Sequence, residues 1–407
     1  MSDFTMTVDA EGVAIITWDT AGKSMNVMSM QGFEDLEALI DQVLADDAIR
    51  GAVLTSGKAG SFAGGMDLNV IAQMKESAGD DPARGLFDGI MKVHGLLRKI
   101  ERAGMAPKTN KGGKPIAAAL PGTALGIGLE IPLACHRIFA ADNPKAKIGL
   151  PEIMVGLFPG AGGTTRLVRE RGALGASPLL LEGKLNDPKG ARAAGVVDEV
   201  VAADALLRTA RDWVLSEPGI VKPWDEKGYR MPGGAPYTQA GFMTFVGASA
   251  MVNGKTQGVY PAAKALLSAV YEGALVPFDT ALKIEARWFT NVLMNPSSAA
   301  MIRSLFINKE ALEKGANRPD VPDQKVARLG VLGAGMMGAG IALVSAQAGI
   351  EVVLLDQSQE AADRGKAHAE GYMDKGIKRG KATPETKAAV LSRITATDDY
   401  AALAGCD

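Results

Sequence analysis

The stretch that decides the fold covers residues 114–166: KPIAAALPGTALGIGLEIPLACHRIFAADNPKAKIGLPEIMVGLFPGAGGTTR. Its apolar residues and glycines frame two carboxylates, Glu130 in GLEIPLAC and Glu152 in GLPEIMVG. Pro121, Gly126 and Gly128 mark a loop, and residues 129–134 read as the start of a buried helix. A carboxylate in such a place loses hydration, so its charged form is disfavoured and its pKa rises. That suits a general acid or base working near neutral pH. The competing reading is a helix-start carboxylate bonded to free backbone N–H groups. Glu152, directly after Pro151, carries the same two readings. Two such glutamates, each in an apolar Gly/Pro frame, favour a working pair. Residues 115–135 have nearly the length of a membrane span, but Glu130, Pro121, Pro132 and three glycines make a buried core segment the better reading.

ALGIGLEIPLACH followed by GLPEIMVGLFPGAGGTTRL resembles the enoyl-CoA hydratase (crotonase) family, and more narrowly the first half of the bacterial multifunctional fatty-acid oxidation alpha subunits. The resemblance covers roughly the first half of the chain. It implies that Glu130 and Glu152 hold the water that adds across a 2-enoyl thioester. It also gives a role to SFAGGMDL, residues 61–68, which alone reads as a strand-to-helix turn capped by Asp67 or as a turn presenting N–H groups. In the family one half of an oxyanion hole is the N–H after this glycine pair, here Met66. The other half is the N–H three residues before the first glutamate, here Ile127, where the family usually has glycine. Two donors aimed at a thioester oxygen stabilise enolate charge.

The whole chain sets outer bounds. With 407 residues it has room for two or three domains. A net charge of −2 gives no electrostatic footprint for nucleic acid or an acidic membrane. The start, MSDFTMTVDAEG, is acidic and has no apolar signal segment, and there are only two cysteines, Cys135 and Cys406. A reduced, cytoplasmic setting is therefore expected. His94, His136 and His368 lack metal-ligand spacing, and no GxSxG elbow is present.

Along the chain, Phe4–Val8 and Val13–Trp18 read as strands around a turn, Met30–Ala45 as a helix and Gly51–Ser56 as a buried strand. Residues 84–102 form an amphipathic helix. The loop 103–113 after it is basic, a solvated connection or a place where lysines touch CoA phosphates. Gly160-Ala-Gly-Gly-Thr-Thr-Arg opens a helix. Its free N–H groups are either an anion site or plain helix initiation, and the resemblance puts this region on the acyl pocket. Short helices over 174–182 and 187–194, a strand over 196–201 and a helix over 205–215 close the domain. Residues 216–237, rich in Pro, Gly and charge, make a boundary. Helical patterns over 262–272, 278–293 and 297–314 read as a connector, with a linker over 315–325.

The second motif is VARLGVLGAGMMGAGIALVSAQAGIEVVLLDQS, residues 326–358. G-x-G-x-x-G (Gly333, Gly335, Gly338) sits at a strand-to-helix turn, and Asp356 ends the next strand where a ribose-binding acid belongs. Gly333 allows the turn, Gly335 lets the backbone near a pyrophosphate, Gly338 lets helix and strand pack, and Asp356 favours NAD over NADP. The alternative is a doubly wound fragment without ligand. This segment too resembles the fatty-acid oxidation alpha subunits, whose second half is a 3-hydroxyacyl-CoA dehydrogenase, and the resemblance adds Met337 to the NAD contacts. The 407 residues reach a third strand, 393–397. The family's catalytic histidine and closing helical domain lie beyond it, so oxidation of 3-hydroxyacyl-CoA by these residues alone is not expected, and strand one is expected as an open edge.

The expected fold is α/β: a crotonase-like ββα spiral domain (1–215), a helical connector (216–325) and a partial Rossmann NAD-binding domain (326–407). The expected function is hydration of trans-2-enoyl-CoA in fatty-acid β-oxidation, with a CoA thioester as substrate and no metal. The expected partners are an acyl-CoA substrate and a thiolase beta subunit, in a homo- or hetero-oligomer. A double-bond isomerase of the same fold needs only one carboxylate and stays open, as does a non-catalytic acyl-CoA or NAD binding subunit.

Overall fold

The alternation of inward and outward residues in the first strands sets up the large sheet. In the computed structural model, which describes residues 2–67, 70, 79–216, 218–319, 321–322 and 325–407, β1 (Phe4–Val8) and β2 (Val13–Trp18) pair antiparallel. Next come α1 (Met30–Ala45), β3 (Gly51–Ser56) and β4 (Ser61–Ala63). Then follow α2 (Pro82–Arg102), β5 (Ile116–Leu120), β6 (Thr123–Leu125), α3 (Ile127–Ala134), β7 (Arg137–Ala141) and β8 (Ile148–Gly149). After a 3₁₀ turn at Pro151–Val155 come α4 (Gly163–Leu180), α5 (Pro188–Ala193), β9 (Glu199–Val201) and α6 (Leu206–Leu215).

The strands form two sheets, β1-β2-β3-β5-β7-β9 and β4-β6-β8. Beyond β2 every pairing in them is parallel. The chain alternates between the sheets, β3 to β4, β5 to β6 and β7 to β8. That is the ββα repeat expected of the crotonase spiral. All five residues of β5 are buried, as a parallel strand covered on both faces requires. Residues 115–135 are thus strand, turn, strand and helix. No helix among the described residues is long and apolar enough to cross a membrane.

Period-two alternation divides the large sheet between two cores. Ala14, Ile16, Trp18, Leu54, Ala118, Leu120 and Ile138 face the main core. Val13, Val53, Ala117, Ala119 and Phe139 face Leu206, Ala210 and Val214 of α6.

The remaining helices of this unit are α7 (Gln239–Thr256), α8 (Pro261–Gly273), α9 (Phe278–Met294), α10 (Pro296–Ile302) and, after a π-turn at Arg303–Ile307, α11 (Asn308–Glu313). The sequence reading had no counterpart for α7. Its glycines, Gly241, Gly247 and Gly254, and its spread of apolar residues blur any single face. The helices read as a connector pack into the first unit: Ala262, Leu266, Ala286, Val292 and Ile302 belong to its main core, and Trp224 stacks on Phe278. Compactness divides the chain into Met1–Ala316 and Asn317–Asp407. The division falls inside the 315–325 segment, of which Asp320, Asp323 and Gln324 lie outside the described residues, as does Leu68 of the earlier loop.

The second unit holds β10 (Arg328–Leu332), α12 (Met336–Gln347), β11 (Glu351–Leu355), α13 (Gln359–Lys378), α14 (Pro384–Ser392) and β12 (Ile394–Thr397). Its parallel sheet has the order β10-β11-β12, with β10 at one edge. Val331, Ala342, Leu343, Val352, Leu354, Met373 and Ile394 make its core.

Candidate active site

Glu130 lies in the first turn of α3, but its carboxylate does not cap that helix. Oε1 accepts from the N–H groups of Ala161 and Gly163, both at 2.8 Å, on the loop that opens α4. Glu130 is only 3% exposed. Burial pushes its pKa up to about 7, against the two N–H bonds and the nearby Arg166, which pull it down. Gly163 has to be glycine: a Cβ there would sit 2.7 Å from both Cγ and Oε1 of Glu130.

Glu152 stands in the first turn of the 3₁₀ segment and is partly exposed as a residue. Its Oε2 is nonetheless sealed from solvent and has no hydrogen-bond partner among the described residues. Burial, with the charge of Glu130 added, raises its pKa well above the ordinary carboxylate range. Both glutamates line one cavity of about 1320 Å³, together with Gly65, Met66, Gly126 and Ile127. Its apolar lining includes Met25, Val27, Phe33, Ile90, Phe158, Phe289 and Phe306.

The two candidate N–H donors follow from local backbone geometry. Met28 donates to Gly65 O at 2.9 Å and accepts from Asp67 N at 3.0 Å. Met66, between those bonded residues, therefore turns its own N–H the other way. Ile127 is the first residue of α3, where an N–H has no partner within the helix. Its side chain is packed into the main core. Neither N–H has an acceptor among the described residues. The basic loop 103–113 does not line this cavity; among the described residues the lysines that do are Lys23, Lys309 and Lys314.

Two residues without a role in the sequence reading complete the site. Glu285, on α9, is 1% exposed. Its Oε1 accepts from Gly162 N at 2.6 Å, and its Oε2 accepts from Thr165 N at 2.8 Å and Thr165 Oγ1 at 2.6 Å. Burial, then the charge of Glu130, pushes its pKa up to about 8. His94 of α2, also buried, has Nε2 2.7 Å from Gly160 O. A carbonyl only accepts, so this nitrogen carries the hydrogen. Burial lowers the imidazole to about 4 and keeps it neutral. The free N–H groups expected before α4 are thus occupied by two carboxylates of the chain itself. Glu285 had a signal in the sequence. Buried positions of α9 include Phe278, Leu282, Ala286 and Leu293, and a charge on such an apolar stripe needs a partner.

In the second unit Asp356 ends β11 and its Oδ2 accepts from Ala334 N at 2.6 Å, against the glycine turn. Those backbone bonds hold the carboxyl below its ordinary range. A Cβ at Gly338 would lie 1.7 Å from Gly333 O, so α12 packs on the turn only with glycine there. Around Gly335 a Cβ would meet nothing within 4 Å, and Met336 and Met337 are exposed. Open space over a helix start, with an acid at the neighbouring strand end, fits a dinucleotide. Among the described residues no group of His, Cys, Asp and Glu could hold a metal.

A ββα spiral with two buried carboxyls and two unclaimed N–H groups around one apolar cavity defines a class of acyl-thioester enzymes. Residues 9–216 match the family model described as enoyl-CoA hydratase/isomerase, and the chain belongs to that family. Residues 328–407 match the NAD binding domain of 3-hydroxyacyl-CoA dehydrogenase.

Two relatives, from Shewanella amazonensis and Shewanella halifaxensis, are each named fatty acid oxidation complex subunit alpha. Both are 34% identical over 99% of this chain and 55% of their own length. The chain thus spans about half the length of the curated relatives it matches. Two solved structures share the fold. The human mitochondrial delta3-delta2-enoyl-CoA isomerase has a TM-score of 0.52 at 19% identity, with 77% of this chain and 100% of that one covered. An enoyl-CoA hydratase from Mycobacterium avium subsp. paratuberculosis has a TM-score of 0.50 at 18% identity, with 75% and 99% covered.

Proposed function

We propose that the first unit hydrates trans-2-enoyl-CoA to 3-hydroxyacyl-CoA in fatty-acid β-oxidation. The observation that carries the reading is the meeting of Glu130 and Glu152 in one cavity that Met66 and Ile127 also line, their N–H groups without an acceptor among the described residues. The thioester oxygen accepts from those two N–H groups, which stabilise it as charge develops. Glu130, whose charge is supported by two N–H bonds, takes a proton from water as the water oxygen bonds to the β-carbon. Glu152, held neutral by burial, delivers a proton to the α-carbon. The net addition is one water; exchange of one proton from Glu130 to Glu152 through solvent restores the start. Lys23, Lys309 and Lys314 supply positive charge for the CoA phosphates.

Replacing Glu130 or Glu152 with Gln is expected to lower hydration by about a hundredfold or more while thioester binding survives. Near-normal turnover in either variant removes the assignment. Isomerisation by the same site is separated by offering a 3-enoyl thioester. Two carboxyls rather than one favour hydration.

For the second unit we propose NAD held by Gly333, Gly335, Met337, Gly338 and Asp356. The pyrophosphate lies on the start of α12 and the ribose hydroxyls on Asp356. Bound there, NAD supplies a hydride acceptor for a 3-hydroxyacyl-CoA. Pairing with a thiolase subunit and oligomerisation belong to the same reading, supported by the relatives' name as a subunit of a complex. Co-purification with a thiolase tests that part.

A further inference from the structure

Residues 159–166, the loop before α4 and the first turn of that helix, stand between two buried carboxyl groups that divide their N–H groups. Ala161 and Gly163 donate to Glu130, while Gly162 and Thr165 donate to Glu285. The Gly160 carbonyl is held by His94, and Thr164 Oγ1 closes onto Pro159 O at 2.8 Å. Gly162 takes a left-handed φ of 96°, a conformation that favours glycine. Glu130 is therefore placed by the end of a loop and the first residue of α4. From behind, that backbone is fastened to α9 by one side chain.

We propose that Glu285 is a positioning residue for hydration. By binding Gly162 and Thr165 from α9 it fixes the loop whose opposite N–H groups hold the Glu130 carboxylate against the substrate water. This rests on the reading of Glu130 as catalytic. Glu285 itself is absent from the cavity lining, where Glu130, Gly160 and Ala161 appear, so its effect passes through the loop. His94 Nε2 lies 3.7 Å from Glu285 Oε1, beyond a hydrogen bond, and its own bond runs to Gly160 O. A helix well outside the 9–216 family match thereby sets the geometry of the carboxylate within it.

The physical demand is strict. A misplacement of about 1 Å at a reacting group costs on the order of a hundredfold in rate, and loss of an orienting partner behind a working group typically costs about tenfold to a hundredfold. Glu285 also accepts three hydrogen bonds, so a leucine in its place strands two N–H groups and a hydroxyl in a dry site.

The test is steady-state hydration of a 2-enoyl-CoA by the full chain carrying Glu285→Leu, Glu285→Gln or Glu130→Gln. Expected for Glu285→Leu is kcat lower by about tenfold to a hundredfold with KM within about threefold, since the thioester contacts are untouched. Glu285→Gln keeps an oxygen for Gly162 N–H and is expected to recover part of that kcat. A kcat within about twofold of wild type in both Glu285 variants overturns the inference, as does a loss confined to KM. If the leucine variant does not fold, the glutamine variant decides alone by the same criteria. Full activity in Glu130→Gln would instead remove the catalytic reading beneath it, so the two failures are told apart.

Discussion

At the residue scale the chemistry depends on where protons sit. Glu130 titrates near 7 because burial outweighs its two N–H bonds and Arg166. In the proposed role of base it works deprotonated, so kcat for hydration is expected to rise with pH through about 7, measured as a pH–rate profile. A profile flat from pH 6 to 8, roughly a unit either side, would contradict this role. Gly163→Ala is a sharper probe of distance: its Cβ would meet the Glu130 carboxyl at 2.7 Å. It is expected to lower kcat about tenfold or more and, because the clash is buried, to cost about 1–3 kcal/mol of stability as well. Glu130 and Glu152 were legible because each is a lone charge in an apolar, glycine-rich frame. Glu130 does accept backbone N–H groups, as the competing reading has it, but those of Ala161 and Gly163 where α4 begins rather than those of its own helix. Which helix start it reaches is not a local property, so the sequence offered no means of choosing.

At the element scale α2 and α4 are joined by a buried ion pair. Arg166 Nε and Nη2 donate to Glu101 at 3.1 and 3.3 Å, and neither residue is exposed. Arg98 extends the network to Glu101, Asp225 and Asp279. Glu101→Ala leaves the Arg166 guanidinium buried without its carboxylate, which costs about 3–5 kcal/mol. Denaturant melts are expected to show it, whereas Arg84→Ala, at an exposed pair with Asp88, is expected to change stability by less than about 1 kcal/mol. In the second unit Asp356→Ala removes the acid at the end of β11. It is expected to weaken NAD binding by about tenfold to a hundredfold by calorimetry, one lost charge-assisted bond being worth about 1.5–3 kcal/mol. The strands β1 to β3 and β10 to β12 and the helices α1, α2 and α9 were readable from period and turn signals, whereas β4 to β8 were not read as strands. The helix α7 was not, because apolar residues all round a helix carry no direction.

At the scale of the whole molecule the first unit runs to Ala316, and the described residues that line the cavity lie within it. A fragment of residues 1–316 is expected to fold and hydrate 2-enoyl-CoA. A fragment ending at 215 is expected to fail, because it lacks Glu285 and the core residues Leu266, Ala286 and Val292.

The buried glutamates also give stability a pH slope. Between about 4 and 6.5 the neutral His94 and His136 oppose them, since the unfolded histidines bind protons that the folded ones do not. Above 6.5 only the glutamates remain. There the folded state keeps a proton on Glu285, raised to about 8, that the unfolded state has lost. Stability therefore falls as pH rises from 6.5 to 8, by about 2 kcal/mol for this one group. Thermal melts are expected to show the fall and Glu285→Gln to flatten it; a melting temperature that rises over this range would refute the burial argument.

By itself the sequence determined both nucleotide- and thioester-type motifs, the order of most strands and helices, and the two carboxyls, because those depend on spacing within a few turns of chain. Only the tertiary structure decided that α9 belongs to the active unit and that Glu285 and His94 clamp the loop behind Glu130. Those contacts join residues 123 and 66 positions apart, and no local pattern reports which distant side chain packing will bring into reach.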